Sequence, residues 1–137
     1  MTPWLSLLGM ARRAGAVVIG EESLVESAQN HKLRLVLLAG DAGDTTARRM
    51  KRLESEKLPV VALPDGKADL GGAIGFASAA AVGVTDLGLS CAILGKLAQA
   101  HSEFAPVAEA LAQRQSKALR RKADTVKHGK KSQRRKS

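Results

Sequence analysis

The sequence predicts an α/β fold, a sandwich of helices around a central sheet. Two observations carry that prediction. Short β-branched or leucine-rich runs alternate with helix-periodic stretches from Pro3 to Leu97. Leu33–Ala39 (LRLVLLA) is an almost unbroken apolar run, as expected of a strand covered on both faces. At 137 residues and 45% apolar content, the chain suits one compact domain with an appendage. Aromatic residues are only 2%, so the core has to be built from Leu, Val, Ile and Ala.

Taken in order, Thr2 and Pro3 supply an N-cap and an N1 proline for a first helix, Pro3 to Ala14, stopped by Gly15. Trp4, Leu7, Leu8 and Ala11 form its apolar stripe. Val17–Ile19 is a short strand. Gly20 then opens a helix from Glu21 to Asn30, with Leu24, Val25 and Ala28 inward. The Leu33–Ala39 strand ends at Gly40 and Asp41. A polar helix from Thr45 to Lys57 has a thin inward face of Ala47, Met50 and Leu53. Pro59–Leu63 is a buried strand, Pro64–Gly66 a turn, Ala68–Phe76 a glycine-rich helix and Ala79–Val84 a further strand. Thr85 and Asp86 cap a helix from Leu87 to Leu97, on which Cys91 faces inward as a core residue. A last helix spans Glu103 to Lys122, and the polar segment beyond it is expected to be disordered when free.

Charge is distributed unevenly. From Arg114 to Ser137 there are 11 Lys/Arg against 1 acid, a net of +10, whereas Met1 to Gln113 carries 11 against 12. All the excess basicity therefore sits in a C-terminal arm, including Arg120, Arg121, Lys122, Lys130, Lys131, Arg134 and Arg135, which reads as seeking nucleic acid. An acidic protein partner is the competing use. A single cysteine excludes an intramolecular disulfide. His31, His101 and His128 are scattered without ligand spacing, so neither a metal nor another cofactor is expected. Gly71, Gly72 and Gly75 lack the Lys-Ser/Thr of a phosphate loop, and close helix packing is their expected use. No apolar run approaches the roughly 20 residues of a membrane span. MTPW lacks the start of a signal peptide, so the expected location is cytoplasmic, with no membrane partner.

The densest signal is Leu7–Ser23, LLGMARRAGAVVIGEES. A helix start that follows a strand and a glycine turns backbone N–H groups outward. Here Glu21, Glu22 and Ser23 fill that first turn, which points to base edges or amino groups as ligand rather than to a nucleotide phosphate.

These residues, followed by LVLLAGDA, DLGGAIG and AVGVTDLG, occur in the order and spacing of the kink-turn RNA-binding ribosomal-protein (L-seven-Ae-like) family. Its bacterial YlxQ-type branch is the part that Trp4–Leu97 resembles most. The resemblance implies a three-layer α-β-α sandwich around a mixed sheet of about four strands. It implies binding of RNA internal loops bent by sheared G·A pairs. It assigns base reading to Gly20, Glu21, Glu22, Ser23 and Glu26, and shielding of a flipped-out nucleotide to an apolar loop, Val82, Gly83, Val84 and Thr85. Asp41 matches an acidic family position, Lys67 lies near a basic one, and Arg12 and Arg13 become candidates for phosphate contact. The family's stronger binders have Asn-Glu where this chain has Glu22-Ser23, and a lysine where it has Glu26.

The chemistry is coherent. Carboxylates accept from guanine N1–H and N2–H2, helix-terminal amides take a phosphate oxygen, and an apolar loop receives an unstacked base. The expected function is a non-enzymatic RNA-binding protein acting on structured RNA, kink-turn-like or ribosomal, with the ribosome as a further partner. The basic arm would add electrostatic affinity. The alternative is a ribosome- or translation-associated protein-interaction module with only non-specific RNA binding by the arm. An enzyme is disfavoured, because no catalytic dyad, metal cluster or cofactor loop can be read.

Overall fold

The computed structural model describes the backbone of residues 1–136 and the side chains of residues 1–121. Its elements are α1 (Pro3–Arg13), β1 (Val17–Ile19), α2 (Glu21–Gln29), β2 (Leu35–Leu38), α3 (Asp44–Lys51), β3 (Val60–Ala62), α4 (Lys67–Ala73), β4 (Ala81–Val84), α5 (Leu87–Ala100), a 3-10 turn (Ser102–Phe104) and α6 (Ala105–Lys136). The strands form one sheet in the order β1-β4-β2-β3. β4 runs antiparallel to both β1 and β2, and β2 runs parallel to β3. The sheet is therefore mixed and four-stranded, as the family resemblance implies.

Side-chain alternation on β2 separates two cores. Leu35 and Leu37, with Val61, Val82 and Val84, face α1, α4, α5 and the start of α6. Val36 and Leu38, with Val60 and Ala81, face the opposite way onto Leu24 of α2 and Met50 of α3. Three layers result. Gly83 lies on the second face, where a Cβ would stand 2.5 Å from both Leu24 Cδ2 and Leu33 Cδ2, so a side chain there would force these two leucine tips to move.

The helix ends follow from the local sequence. Thr2 Oγ1 accepts from Leu5 N–H at 3.4 Å, with Pro3 at N1. After α1, the Gly15 N–H donates to Arg12 O (3.1 Å) and the Ala16 N–H to Ala11 O (2.8 Å), which satisfies the last carbonyls of the helix. Asp86 Oδ2 caps α5 by accepting from Leu89 N–H at 2.7 Å.

The ends of four helices differ most from expectation. α3 stops at Lys51 instead of Lys57. The Leu53 and Glu54 N–H groups close tight turns onto Met50 and Lys51, and Ser55 then bridges Leu58, which delivers Leu58 into the second core. α4 ends at Ala73, because Gly75 takes φ +84 and the chain reverses there. Gly71 alone of the three nearby glycines serves close packing: a Cβ on it would lie 2.5–2.7 Å from the Ser78 backbone, while one on Gly72 or Gly75 would meet nothing within 4 Å. α5 continues through Gln99 to Ala100, and α6 runs to Lys136 where the sequence predicted disorder after Lys122. Lys, Arg, Gln and Ala are good helix formers, and lacking apolar residues removes a docking face without removing backbone hydrogen bonds.

α6 docks and then projects. Leu111 is buried in the first core with Val107 and Ala108 against it, and the Arg114 guanidinium donates to the Lys57 carbonyl. From Ser116 to Arg121 every side chain is exposed. Cys91 is half-buried at the α5–α6 contact, where its Sγ donates to the Leu111 carbonyl at 3.4 Å. Burial pushes its thiol pKa up, Arg114 opposes that, and Asp86 adds to it. Cys91 is accordingly expected to alkylate more slowly than a free cysteine at neutral pH, with the gap closing in denaturant, as a thiol-titration time course would read. Equal rates in the two conditions would mean that α6 does not cover it. Among the described residues, no helix is long and apolar enough to cross a membrane.

Candidate nucleic-acid interface

Strand register decides what stands together. Ile19 pairs with Val82, and Leu38 pairs with both Ala81 and Ala62. The carboxyl ends of β1, β2 and β3 therefore lie at one end of the sheet with the amino end of β4. Gly20 and the α2 first turn, Gly40–Asp41, the turn before α4, and the chain preceding β4 all emerge there.

Gly20 holds φ +97, a conformation that side chains rarely adopt, and its carbonyl accepts the first α2 bond from Leu24 N–H at 2.9 Å. No side chain caps this helix, so its first amides are uncovered. Glu22, Ser23 and Glu26 are exposed. Glu21 is not free in the same way: its Oε2 accepts from Arg49 Nη1 at 2.9 Å. The Thr46 hydroxyl first, and the Arg49 guanidinium second, hold its carboxyl below the ordinary glutamate range. A depressed folded pKa contributes stability above the unfolded value and loses it as pH falls through the folded one. Glu21→Gln should therefore cost at most about 1 kcal/mol near neutrality, as expected of an exposed pair. Its difference from wild type should vanish on acidification, and a difference in melting temperature that persists at acid pH would contradict this.

Between α2 and α3 lies an open groove of about 540 Å³. Glu22 and Glu26 stand on one wall, Arg49 and Arg52 on the other, with Val25, Met50 and Leu53 along it. Asp41 acts as a structural tie. Its Oδ1 accepts from the Lys67 backbone N–H at 2.7 Å, joining the end of β2 to the start of α4. The Lys67 side chain is exposed at the same sheet end.

Two groups of expected site residues lie elsewhere. Val82, Gly83 and Val84 are not a loop; they form the buried inner strand β4, with Val82 and Val84 at 0% exposure. Thr85 follows at the opposite sheet end, where its N–H donates to Ala16 O. No surface for a base exists along Val82–Val84, because these apolar residues are consumed by the core. Arg12 and Arg13 end α1 on the far side of β1 from Gly20, and Arg12 Nε donates to Ile74 O at 3.4 Å. Arg120 and Arg121 are exposed on the projecting part of α6. The side chains of Lys122, Lys130, Lys131, Arg134 and Arg135 lie outside the described residues.

The sequence reading missed the loop before β4, Gly75–Ala80. It is apolar, carries the exposed Phe76 (46%), and runs back along α4 to the sheet end. Four features pin it: Phe76 N–H to Gly71 O (2.9 Å), Ala79 N–H to Lys67 O (3.0 Å), Ala80 O to Ala39 N–H (2.8 Å), and the bare Gly71 beneath Ser78. The run FASAAAVGV conceals where the strand begins, since alanine marks neither strand nor loop. The cationic α3 residues Arg48, Lys51 and Arg52 were likewise read only as a polar helix face.

No protein-family model matches the chain. It is similar to RNA-binding protein YlxQ of Bacillus subtilis (strain 168), 35% identical over 95 residues that make up 69% of this chain and 94% of the relative. RNA-binding protein YlxQ of Enterococcus faecium is 36% identical over 47 residues, 34% of this chain and 46% of the relative. Among solved structures, a protein of unknown function from Bacillus halodurans superposes with a TM-score of 0.62 at 34% identity, over 70% of this chain and 97% of that one. The 15.5 kD RNA binding protein of Giardia lamblia superposes with a TM-score of 0.58 over 78% of this chain and 85% of that one; at 20% identity the likeness is one of fold alone.

Proposed function

Since the chain belongs to the YlxQ family of RNA-binding proteins, we propose that it is a non-enzymatic RNA-binding protein that recognises structured RNA of the kink-turn or ribosomal kind. The observation that supports this reading most is the convergence, at one sheet end, of the uncovered α2 first turn and the pinned apolar loop before β4. The exposed Glu22 carboxylate accepts from guanine N1–H and N2–H2 or from exocyclic amines. Ser23 offers a hydroxyl beside it, and the α2 amides accommodate one phosphate oxygen. Ala79 and Ala80 give an unstacked base an apolar surface, the role that the resemblance first assigned to Val82–Thr85. Glu21 positions this turn through Arg49 and Thr46 rather than reading a base. Asp41 and Lys67 hold the loop's anchor on α4. The α6 arm, with Arg120 and Arg121, supplies sequence-blind attraction to phosphates.

The test is binding of the full chain to a short duplex with one kink-turn and to the same duplex without it. Wild type should prefer the bent RNA. Glu22→Ala with Ser23→Ala should remove most of that preference while keeping most of the affinity, about 1–3 kcal/mol of discrimination for a good base contact. Equal affinity of wild type for both RNAs would sink the kink-turn reading.

A further inference from the structure

α3 and the residue after it hold the densest described cluster of cations in the sandwich. Arg48, Arg49, Lys51 and Arg52 are all exposed, with Asp44 the only acid among residues 44–52. Thr45, Arg48, Arg49 and Arg52 share one helix face, and they line a shallow concavity of about 310 Å³ with no carboxylate in its walls. A second concavity beside it is lined by Asp44, Ala47, Arg48, Lys51 and Arg52. Among the described residues, Arg49–Glu21 is the one ion pair, so Arg48, Lys51 and Arg52 have no carboxylate within bonding distance. A helix carboxyl end presents only about half a charge, which four cations exceed. Cations spaced three and four apart on a helix also repel one another.

The position of the cluster gives it a use. α3 starts at the sheet end where α2 begins, and Arg49 binds Glu21, the first residue of α2. Arg49 and Arg52 therefore face Glu22 and Glu26 across the groove, and Arg48 and Lys51 extend the cationic surface from Arg52 along α3. Beyond the one phosphate oxygen that the α2 amides can hold, the Glu22 and Glu26 carboxylates repel the RNA backbone, so a strand whose base edges meet that turn needs its flanking phosphates neutralised alongside. Guanidinium forks match phosphate oxygens in pairs.

Building on the RNA-binding function proposed above, we propose that Arg48, Lys51 and Arg52 form a phosphate clamp for the RNA backbone that flanks the α2 site. The clamp contributes affinity without base selectivity, and its contribution is independent of the α6 arm.

The full chain carrying Arg48→Gln, Lys51→Gln and Arg52→Gln tests this, with Arg49 left to hold Glu21. Binding to the kink-turn duplex is followed by fluorescence anisotropy across a KCl series. The expected result is a loss of affinity of tenfold or more at low salt. The slope of log affinity against log salt should shrink by about 2, since each lost phosphate contact removes about 0.7–0.9. The preference for bent over plain RNA should be unchanged. Arg48→Lys with Arg52→Lys should keep the slope, because it preserves the charges. A triple variant with the wild-type slope overturns the clamp and leaves the RNA-binding reading intact. Failure of the wild type to bind RNA overturns both. Loss of binding to anionic phosphatidylglycerol vesicles, with the RNA slope unchanged, overturns the clamp in favour of a membrane surface.

Discussion

A chain ending at Ser116 is expected to lose most of the salt-sensitive part of its RNA affinity while remaining folded. The deleted segment holds 10 of the 22 lysines and arginines and 1 of the 13 acids, so what remains has as many cations as carboxylates. Among the described residues, the contacts that dock α6 lie before the cut: Leu111 in the core, Val107 and Ala108 against it, and Arg114 on the Lys57 carbonyl. The deleted part begins where side chains turn wholly exposed, so the melting temperature should hold within a degree or two of wild type. A protein neutralising six to ten phosphates loses about 10³–10⁵-fold in affinity between 50 and 200 mM salt. The full chain should approach the lower part of that range. The shortened chain should show only the shallow dependence that Arg48, Lys51 and Arg52 confer, and its preference for bent RNA should persist. Anisotropy titrations of both chains at several salt concentrations measure this. A shortened chain with the full slope would move the electrostatic source onto the sandwich. Loss of the bent-RNA preference with the arm would show that the α2 turn selects nothing by itself.

Gly71→Ala and Gly72→Ala should change stability in opposite directions although the residues are neighbours on α4. A Cβ on Gly71 would press at 2.5 Å on the Ser78 backbone, which cannot step aside as a side-chain tip could. The chain around Ser78 is also fixed by the Phe76, Ala79 and Ala80 bonds. Overpacking of this kind costs about 1–3 kcal/mol, enough to lower the melting temperature by several degrees. Relief by shifting the loop would move Ala79 and Ala80 away from the end of β2, so the preference for bent RNA should fall as well. A Cβ on Gly72 meets open space. There, alanine gains about 0.5–1 kcal/mol by restricting the unfolded chain and favouring the helix. Thermal unfolding of the two variants decides the matter: equal shifts would mean that the loop does not rest on α4. The two glycines look alike in LGGAIG, and the sequence offers no means of telling them apart.

Much of this molecule was legible in its sequence because the signals are local. Thr2-Pro3 and Asp86 cap helices through their own side chains. Gly15 and Gly20 bracket a three-residue strand, and LVLL has the two-sided apolarity of a central one. The three-layer class and the α2 first turn followed from these patterns and from the family resemblance. Other features depended on distant residues meeting. Glu21 looked like a base reader until Arg49, 28 residues on, was found bonded to it. Asp41 looked like a site carboxylate and serves as an anchor for Lys67, 26 residues away. Val82–Val84 looked available as an apolar surface until strand order placed them inside the sheet, between β1 and β2. Local pattern determines which segments are helix or strand and which face is apolar, because those depend on neighbours along the chain. Strand order and register alone decide at which end of the sheet each loop emerges. These depend on hydrogen-bond pairing between segments tens of residues apart, and so which residues meet at that sheet end is decided only by the tertiary fold.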